Sequence, residues 1–365
     1  MRFLRLLMVL VCAAFAGTGA GSFADEAAAP ANGIQDTGDR VEGLPVITSL
    51  AVENLPTGRH DYYFRAGWRN TGAPIHVPVA VVKGAAEGTR LMLTAAVHGD
   101  ELNGIGVLHK LLASLDAATL KGTVIAVPGV NPPGIMANNR RFPVSTGGGS
   151  LVDLNRNFPG RGGDEGSIAG RYVGALWEGL IKPNADIAVD LHTQTRGSAY
   201  PLFVFADFGN YQAKAAAFAL GPDMIKNDSG QEGTVETSLV KEGIPAVTFE
   251  VGAPKVFQRD LIDRAVWGLR NLMRSHHMLA GKVEEPPVKP IVGSAYTNVF
   301  AGRGGIAVLH VGLKERVARG QVVATLYDAF GRELEKYTAP HDGWVLAVAT
   351  DPMREAGSML VRILR

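Results

Sequence analysis

Two histidines, two glutamates and a group of arginines stand where this 365-residue chain could do chemistry. The apolar run Leu91–Val97 ends in His98-Gly99-Asp100-Glu101, which sets an imidazole and a carboxylate three residues apart at a strand-to-helix joint. His-x-x-Glu alone is a weak signal, because short motifs recur by accident. A second apolar strand, Ala188-Val189-Asp190-Leu191, ends at His192, and a third, Pro245 to Phe249, runs straight into Glu250. A catalytic zinc takes three ligands from His and Glu/Asp and keeps a fourth position for water. His98, Glu101 and His192 match that set in type and number. Burying Glu250 directly after an apolar strand costs free energy unless it has a partner or a task. Asn138-Asn139-Arg140-Arg141 and Asp153-Leu154-Asn155-Arg156 add cations and amides. Such groups suit a developing oxyanion and a substrate carboxylate in acyl hydrolysis. Arg196, four residues after His192, is a candidate for reading a second acidic group on a substrate.

These residues need a scaffold that gathers strand ends. Apolar strands at Leu91–Val97, Val124–Val130, Ile187–Leu191 and Ala246–Phe249 alternate with helical stretches at 102–115, 210–226 and 259–279. The alternation predicts an α/β fold with a central mixed, largely parallel sheet flanked by helices. In such sheets the sites lie at the carboxyl ends of the strands. Alternating Ile75, Val77, Val79 and Val81 predict strands of a sheet edge between Leu44 and Val82. This hydrolase-type domain spans 46–281, behind a mobile Ala/Pro/Gly-rich leader at 25–45. Glu284-Glu285-Pro286-Pro287 marks a stiff linker at 282–290. Short strands and turns over 291–365 then predict a small C-terminal all-β domain.

Composition excludes several other classes. The 36 Lys+Arg and 35 Asp+Glu give a net charge of +1, so nucleic-acid binding by bulk charge is not expected. Met1 to Arg5 is basic, Leu6 to Ala16 is an eleven-residue apolar run, and Ser22-Phe23-Ala24 offers a small-x-small site. These are the parts of a signal peptide at 1–24, too short to span ~30 Å of hydrocarbon. They predict a secreted or periplasmic protein with no stable membrane anchor after processing. Cleavage after Ala24 removes Arg2, Arg5 and the single Cys12, leaving a cysteine-free chain of net charge −1. Thiol catalysis and Cys–zinc sites are thereby excluded.

His98-Gly99-Asp100-Glu101, Asn131-Pro132, Arg140, Asp153-Leu154-Asn155-Arg156, Asp190-Leu191-His192 and Phe249-Glu250-Val251-Gly252 together resemble the succinylglutamate desuccinylase/aspartoacylase family, a branch of the zinc carboxypeptidase-like metallohydrolases. The resemblance covers roughly residues 70–280, and the C-terminal β segment is similar to one that family appends. It implies one Zn2+ per chain held by His98, Glu101 and His192. It implies Glu250 as general base and acid, and Arg140 (or its neighbour Arg141) polarising the scissile carbonyl. Asn155 and Arg156 would hold a substrate carboxylate, and Asp153 would orient a ligand imidazole. The expected activity is deacylation of N-acyl amino acids or related small carboxylate-bearing amides, by a protein that is monomeric or homo-oligomeric. An exported zinc carboxypeptidase or amidase acting on short or cell-wall peptides is the alternative. A lipoyl-type carrier role lacks its lysine in Tyr327-Asp328-Ala329-Phe330, and a ligand-binding hydrolase without activity would not need all five core residues.

Overall fold

The computed structural model describes residues 33–161 and 166–365. The expected signal peptide at 1–24 lies outside the described residues. Eleven strands form one sheet: β1 (Gln35–Val41), β2 (Leu44–Ser49), β3 (Gly58–Trp68), β4 (Pro74–Lys83), β5 (Ala86–Ala95), β6 (Lys121–Val127), β7 (Ile187–His192), β8 (Leu202–Ala206), β9 (Met224–Asn227), β10 (Ala246–Val251) and β11 (Ile291–Gly293). Their spatial order is β1-β2-β3-β4-β6-β5-β7-β10-β8-β9-β11. The middle four strands, β6, β5, β7 and β10, are mutually parallel, so their carboxyl ends share one edge.

Among the described residues, six α-helices cover the sheet: α1 (Asn103–Ala113), α2 (Pro132–Met136), α3 (Ile168–Leu176), α4 (Tyr211–Ala219), α5 (Val235–Lys241) and α6 (Arg259–Ser275). Strand alternation sorts the core into two layers. Leu91 and Leu93 of β5 pack with Val107 and Leu108 of α1 and Leu269 of α6. Met92, one step along, turns to the other face and packs with Tyr172 and Val173 of α3 and Leu239 of α5. Both faces being covered, the middle of each central strand is mostly apolar, as in Leu91–Leu93 and Val124–Val127. Each fully buried Leu or Val contributes roughly 1.5–3 kcal/mol, which fixes the register that aligns the strand ends.

Several expectations need correction. Residues 35–45 are not a mobile leader but β1 and the start of β2. A tight turn at Glu42-Gly43, both at positive φ (51° and 81°), makes the hairpin, and Ile47 anchors it in the core. That backbone conformation is the one short hairpin turns require. The helical pattern at 210–226 stops at Ala219, because Gly221-Pro222 breaks it and Met224–Asn227 becomes β9. Positive φ at His277 (57°) terminates α6 ahead of the expected 279.

The segment 282–290 has no regular structure, yet it is no free spacer. Glu284 donates its backbone N–H to Asn271 Oδ1 (2.7 Å), accepts from Asn271 Nδ2 (3.0 Å) and pairs with Arg274 (3.0 Å) on α6. The C-terminal strands form their own sheets and core, centred on Val323, Leu326, Val345 and Leu360. They are nevertheless not an independent domain. Ile291–Gly293 extends the large sheet beside β9, and Ser198–Ala199 pairs with Gly343–Ala349. The described residues form one compact unit. Among the described residues no helix is long and apolar enough to cross a membrane.

Candidate metal centre and its cavity

β5, β7 and β10 end beside one another. The register of β7 with β10 sets His192 directly opposite Glu250. His98 follows β5 through a turn whose Gly99 has no room for a side chain, since a Cβ there would overlap the backbone of Gly134 and Ile135. Gly99 also donates its N–H to the Arg140 carbonyl (3.1 Å), tying the histidine turn to the arginine loop.

One donor atom from each of His98, Glu101 and His192 lies within 4.8 Å of the others, and all three residues are buried. His98 Nδ1 is 2.9 Å from Glu101 Oε1 and 3.1 Å from His192 Nδ1. His192 Nδ1 is 2.9 Å from Glu101 Oε2. The outward nitrogens of both rings meet carboxylates: His98 Nε2 is 2.9 Å from Asp153 Oδ1, and His192 Nε2 is 2.7 Å from Asp190 Oδ2. Asp190 in turn accepts from Thr94 Oγ1 (2.7 Å). Carboxylates behind the rings fix which nitrogen faces inward and raise its basicity.

The electrostatics agree with a cation site. Burial disfavours charge on His192, but Asp190 and Glu101 outweigh it and lift its pKa well above the usual value. Burial also opposes charge on Glu101, yet His98, Arg140 and His192 hold it well below the carboxylate range. Two imidazoles and a carboxylate, backed by two further acids, form a donor set that fits a divalent ion of the zinc type. Asp190→Asn is expected to weaken metal binding roughly 10–100-fold. Competition with a chelator measures it, and an unchanged affinity would remove Asp190 from the site.

The His98–Glu101–His192 group opens into a cavity of about 240 Å³. Arg140 lines it and pairs with Glu101 and, at 3.9 Å, with Asp153. Arg141, beside it in the bend before the strand that starts at Phe142, is exposed and does not line the cavity. Arg196 is exposed as well, and it does not line the cavity. Arg156 lines it, with Nη1 2.6 Å from the Asn155 carbonyl. Asn155 is at the wall but its side chain is engaged: Oδ1 accepts from Val235 N–H (3.0 Å) and Nδ2 is 3.3 Å from His192 Nε2. It therefore secures the start of α5 against the metal group.

Glu250 is 8% exposed, and its Oε2 is buried without a hydrogen-bond partner. Burial pushes its carboxyl up to about 8. Gln194 Nε2, on the same wall, is likewise buried and unpaired. Orphaned polar atoms are rare in folded proteins, and two in one cavity mark where a ligand's groups belong.

Three residues at or behind the cavity wall carry no strong sequence signal. Arg362 comes from the C-terminal strand Met359–Leu364 and reaches the cavity, held by Asn298 Oδ1 (2.7 Å), the Tyr200 hydroxyl and the face of Tyr296 (4.2 Å). Asp190 sits inside an apolar strand, where only its two-residue spacing from His192 places both on one face. Glu236, at the start of α5, reads in sequence as an ordinary surface acid.

The largely parallel sheet, with His98, Glu101 and His192 gathered at the carboxyl ends of its central strands, is a zinc-carboxypeptidase-like fold. Residues 87–276 match the Succinylglutamate desuccinylase/Aspartoacylase catalytic domain. The chain belongs to the succinylglutamate desuccinylase/aspartoacylase family. It is 30% identical over 292 residues to the N-alpha-acetyl-L-2,4-diaminobutyric acid deacetylase of Halomonas elongata, covering 76% of this chain and 82% of that one. It is 27% identical to the succinylglutamate desuccinylase of Pseudomonas aeruginosa, covering 61% and 66%. The fold is similar to the product-bound ectoine utilization protein EutE (DoeB) of Ruegeria pomeroyi, with a TM-score of 0.73, 24% identity and coverage of 85% and 97%. A succinylglutamate desuccinylase from Silicibacter sp. TM1040 gives a TM-score of 0.74 at 23% identity, covering 92% and 99%.

Proposed function

We propose that the protein is a zinc-dependent deacylase that hydrolyses the amide bond of N-acyl amino acids. The observation that carries this is the buried, unpaired Glu250 carboxyl beside the His98–Glu101–His192 group, in a cavity that also holds Arg140. The curated relatives are deacylases of this kind by name. A divalent ion on the three donors supplies Lewis acidity and acidifies water, and its charge favours the ionised form of Glu250.

The chain's own residues do the rest. Glu250 accepts a proton from the attacking water and delivers it to the amide nitrogen as the C–N bond breaks, giving a carboxylic acid and a free amine. Arg140 places a guanidinium where negative charge develops on the carbonyl oxygen. Asp153 and Asp190 hold the two imidazoles in orientation. Arg156 and Arg362, with no carboxylate among the described residues paired to either, receive the substrate carboxylate.

The test is hydrolysis of a panel of N-acetyl and N-succinyl amino acids, alongside short peptides, by zinc-loaded protein. Amino acid release from the acylated panel is expected, and cleavage of peptides alone would overturn the proposal. Within that assay Arg140→Ala should lower kcat roughly 10²–10³-fold, the cost of losing an oxyanion donor. Equal losses in Arg140→Ala and Arg141→Ala would remove the distinction between the cavity-lining and the exposed arginine.

A further inference from the structure

Two residues beyond His192, the chain still follows β10. His192 lies opposite Glu250 in the register, and Gln194 donates its backbone N–H to the Gly252 carbonyl (3.0 Å). The same carbonyl accepts the backbone N–H of Tyr200 (3.2 Å), so Gln194 and Tyr200 are hung from one point. Between them the chain reverses at Gly197, with φ at 79°. The Gly197 carbonyl is clamped by the Thr350 N–H (2.9 Å) and by Arg354, both from the C-terminal sheets. Both side chains line the cavity and are buried, Gln194 at 7% exposure and Tyr200 at 3%.

The Gln194 amide has one allowed orientation. Its Oε1 accepts from the Thr195 N–H (2.8 Å) and the Thr195 hydroxyl (2.9 Å). A backbone N–H can only donate, so turning the amide over would set donor against donor. Nε2 is the atom left over, buried and without a hydrogen-bond partner. The Tyr200 hydroxyl accepts from Arg362 Nη1, which leaves its own proton to give. Burial pushes the Tyr200 phenol up, so that proton is retained at neutral pH, while Arg362 and Gln194 each favour negative charge on its oxygen. Arg362 is fixed by Asn298 Oδ1 (2.7 Å) and the face of Tyr296 (4.2 Å). An amide N–H2, a phenol O–H and a guanidinium thus share one part of the wall. Buried donors left unanswered are costly. A carboxylate answers them best, with two oxygens and about four lone-pair sites.

We propose that Gln194 is a specificity-determining residue that, with the Tyr200 hydroxyl, completes a carboxylate subsite on Arg362, so that the protein accepts a free carboxylate there and rejects the corresponding carboxamide. This rests on the deacylase reading above. A carboxamide carries no charge for Arg362 and sets a further N–H2 among three donors.

The experiment compares the acylated amino acid hydrolysed fastest in the panel above with its α-carboxamide, using zinc-loaded protein. The carboxylate form should exceed the carboxamide in kcat/KM by roughly 10–100-fold, the range for a hydrogen bond to a charged group. Gln194→Met keeps the length of the side chain and removes the donor. It should raise KM for the carboxylate form roughly 10-fold with kcat held within about threefold, and so narrow the ratio. Gln194→Glu, the same shape with an acceptor in place of the donor, should narrow it further. Tyr200→Phe should act in the same direction, and it gives the reading if loss of the Thr195 bonds unfolds Gln194→Met. Zinc content and circular dichroism should match the wild type in each folded variant. A wild-type ratio near one, a ratio unaltered in the folded variants, or a loss confined to kcat overturns this inference while leaving deacylation intact. Failure to hydrolyse any acylated amino acid overturns both.

Discussion

Replacing His192 by alanine is expected to abolish metal binding, taking zinc from about one per chain to a few per cent of that, with loss of hydrolysis. His192 supplies an inward nitrogen and faces Glu101 and Asp190 at 2.9 and 2.7 Å. Its removal leaves two buried carboxylates without the cation between them. Breaking a buried pair in this way costs roughly 3–5 kcal/mol, so the variant should also melt at lower temperature. Metal analysis after dialysis, with circular dichroism to verify the fold, measures both effects. A folded His192→Ala protein holding a full zinc complement would contradict the assignment of the site.

Glu250→Gln is expected to cut kcat roughly 10²–10⁴-fold, the usual contribution of a general acid–base group, while zinc content stays at the wild-type level. In metal-free protein the same change should stabilise the fold. The Glu250 carboxyl is raised from 4.5 to about 8, chiefly by burial. The native state therefore holds the proton more tightly than the unfolded chain does. Stability falls as pH rises from about 4.5 to about 8, where the unfolded state has already ionised. Glutamine has no proton to lose, so its advantage should be absent near pH 4 and reach roughly 2–4 kcal/mol by pH 8.5. Denaturant unfolding at the two pH values reads the difference. Equal stabilities at pH 8.5, or activity above a tenth of wild type, would count against the role given to Glu250.

The site was legible where the chain itself draws attention to it. His98, His192 and Glu250 each follow an apolar run, and a polar residue at the end of a buried parallel strand is exposed to little except its neighbours' ends. Register did the rest, since the in-line pairing of β7 with β10 brings His192 to Glu250. Arg140 and Arg141 could not be separated by type or spacing, because which of them reaches the cavity depends on how the loop after α2 is tied to Gly99. Arg196 followed a ligand closely in sequence, yet the turn after β7 carries it to the surface.

Arg362 was invisible for a different reason. Met359–Leu364 alternates like any half-buried strand, and only the attachment of the C-terminal sheets brings it to the cavity. The same attachment explains why the segment 282–290, despite its prolines, does not separate two domains. The hairpin at 35–49 was hidden by composition, because acidic and glycine-rich residues mask a strand whose apolar anchors lie in its partner.

Hydrolysis of an acyl amide should depend on one divalent ion held by His98, Glu101 and His192. Titrating zinc into metal-stripped protein while following amino acid release from an N-acetyl amino acid tests it most directly. Activity should rise from near zero and level off at one equivalent per chain. Full activity in the stripped protein, or none at any zinc concentration, would contradict it.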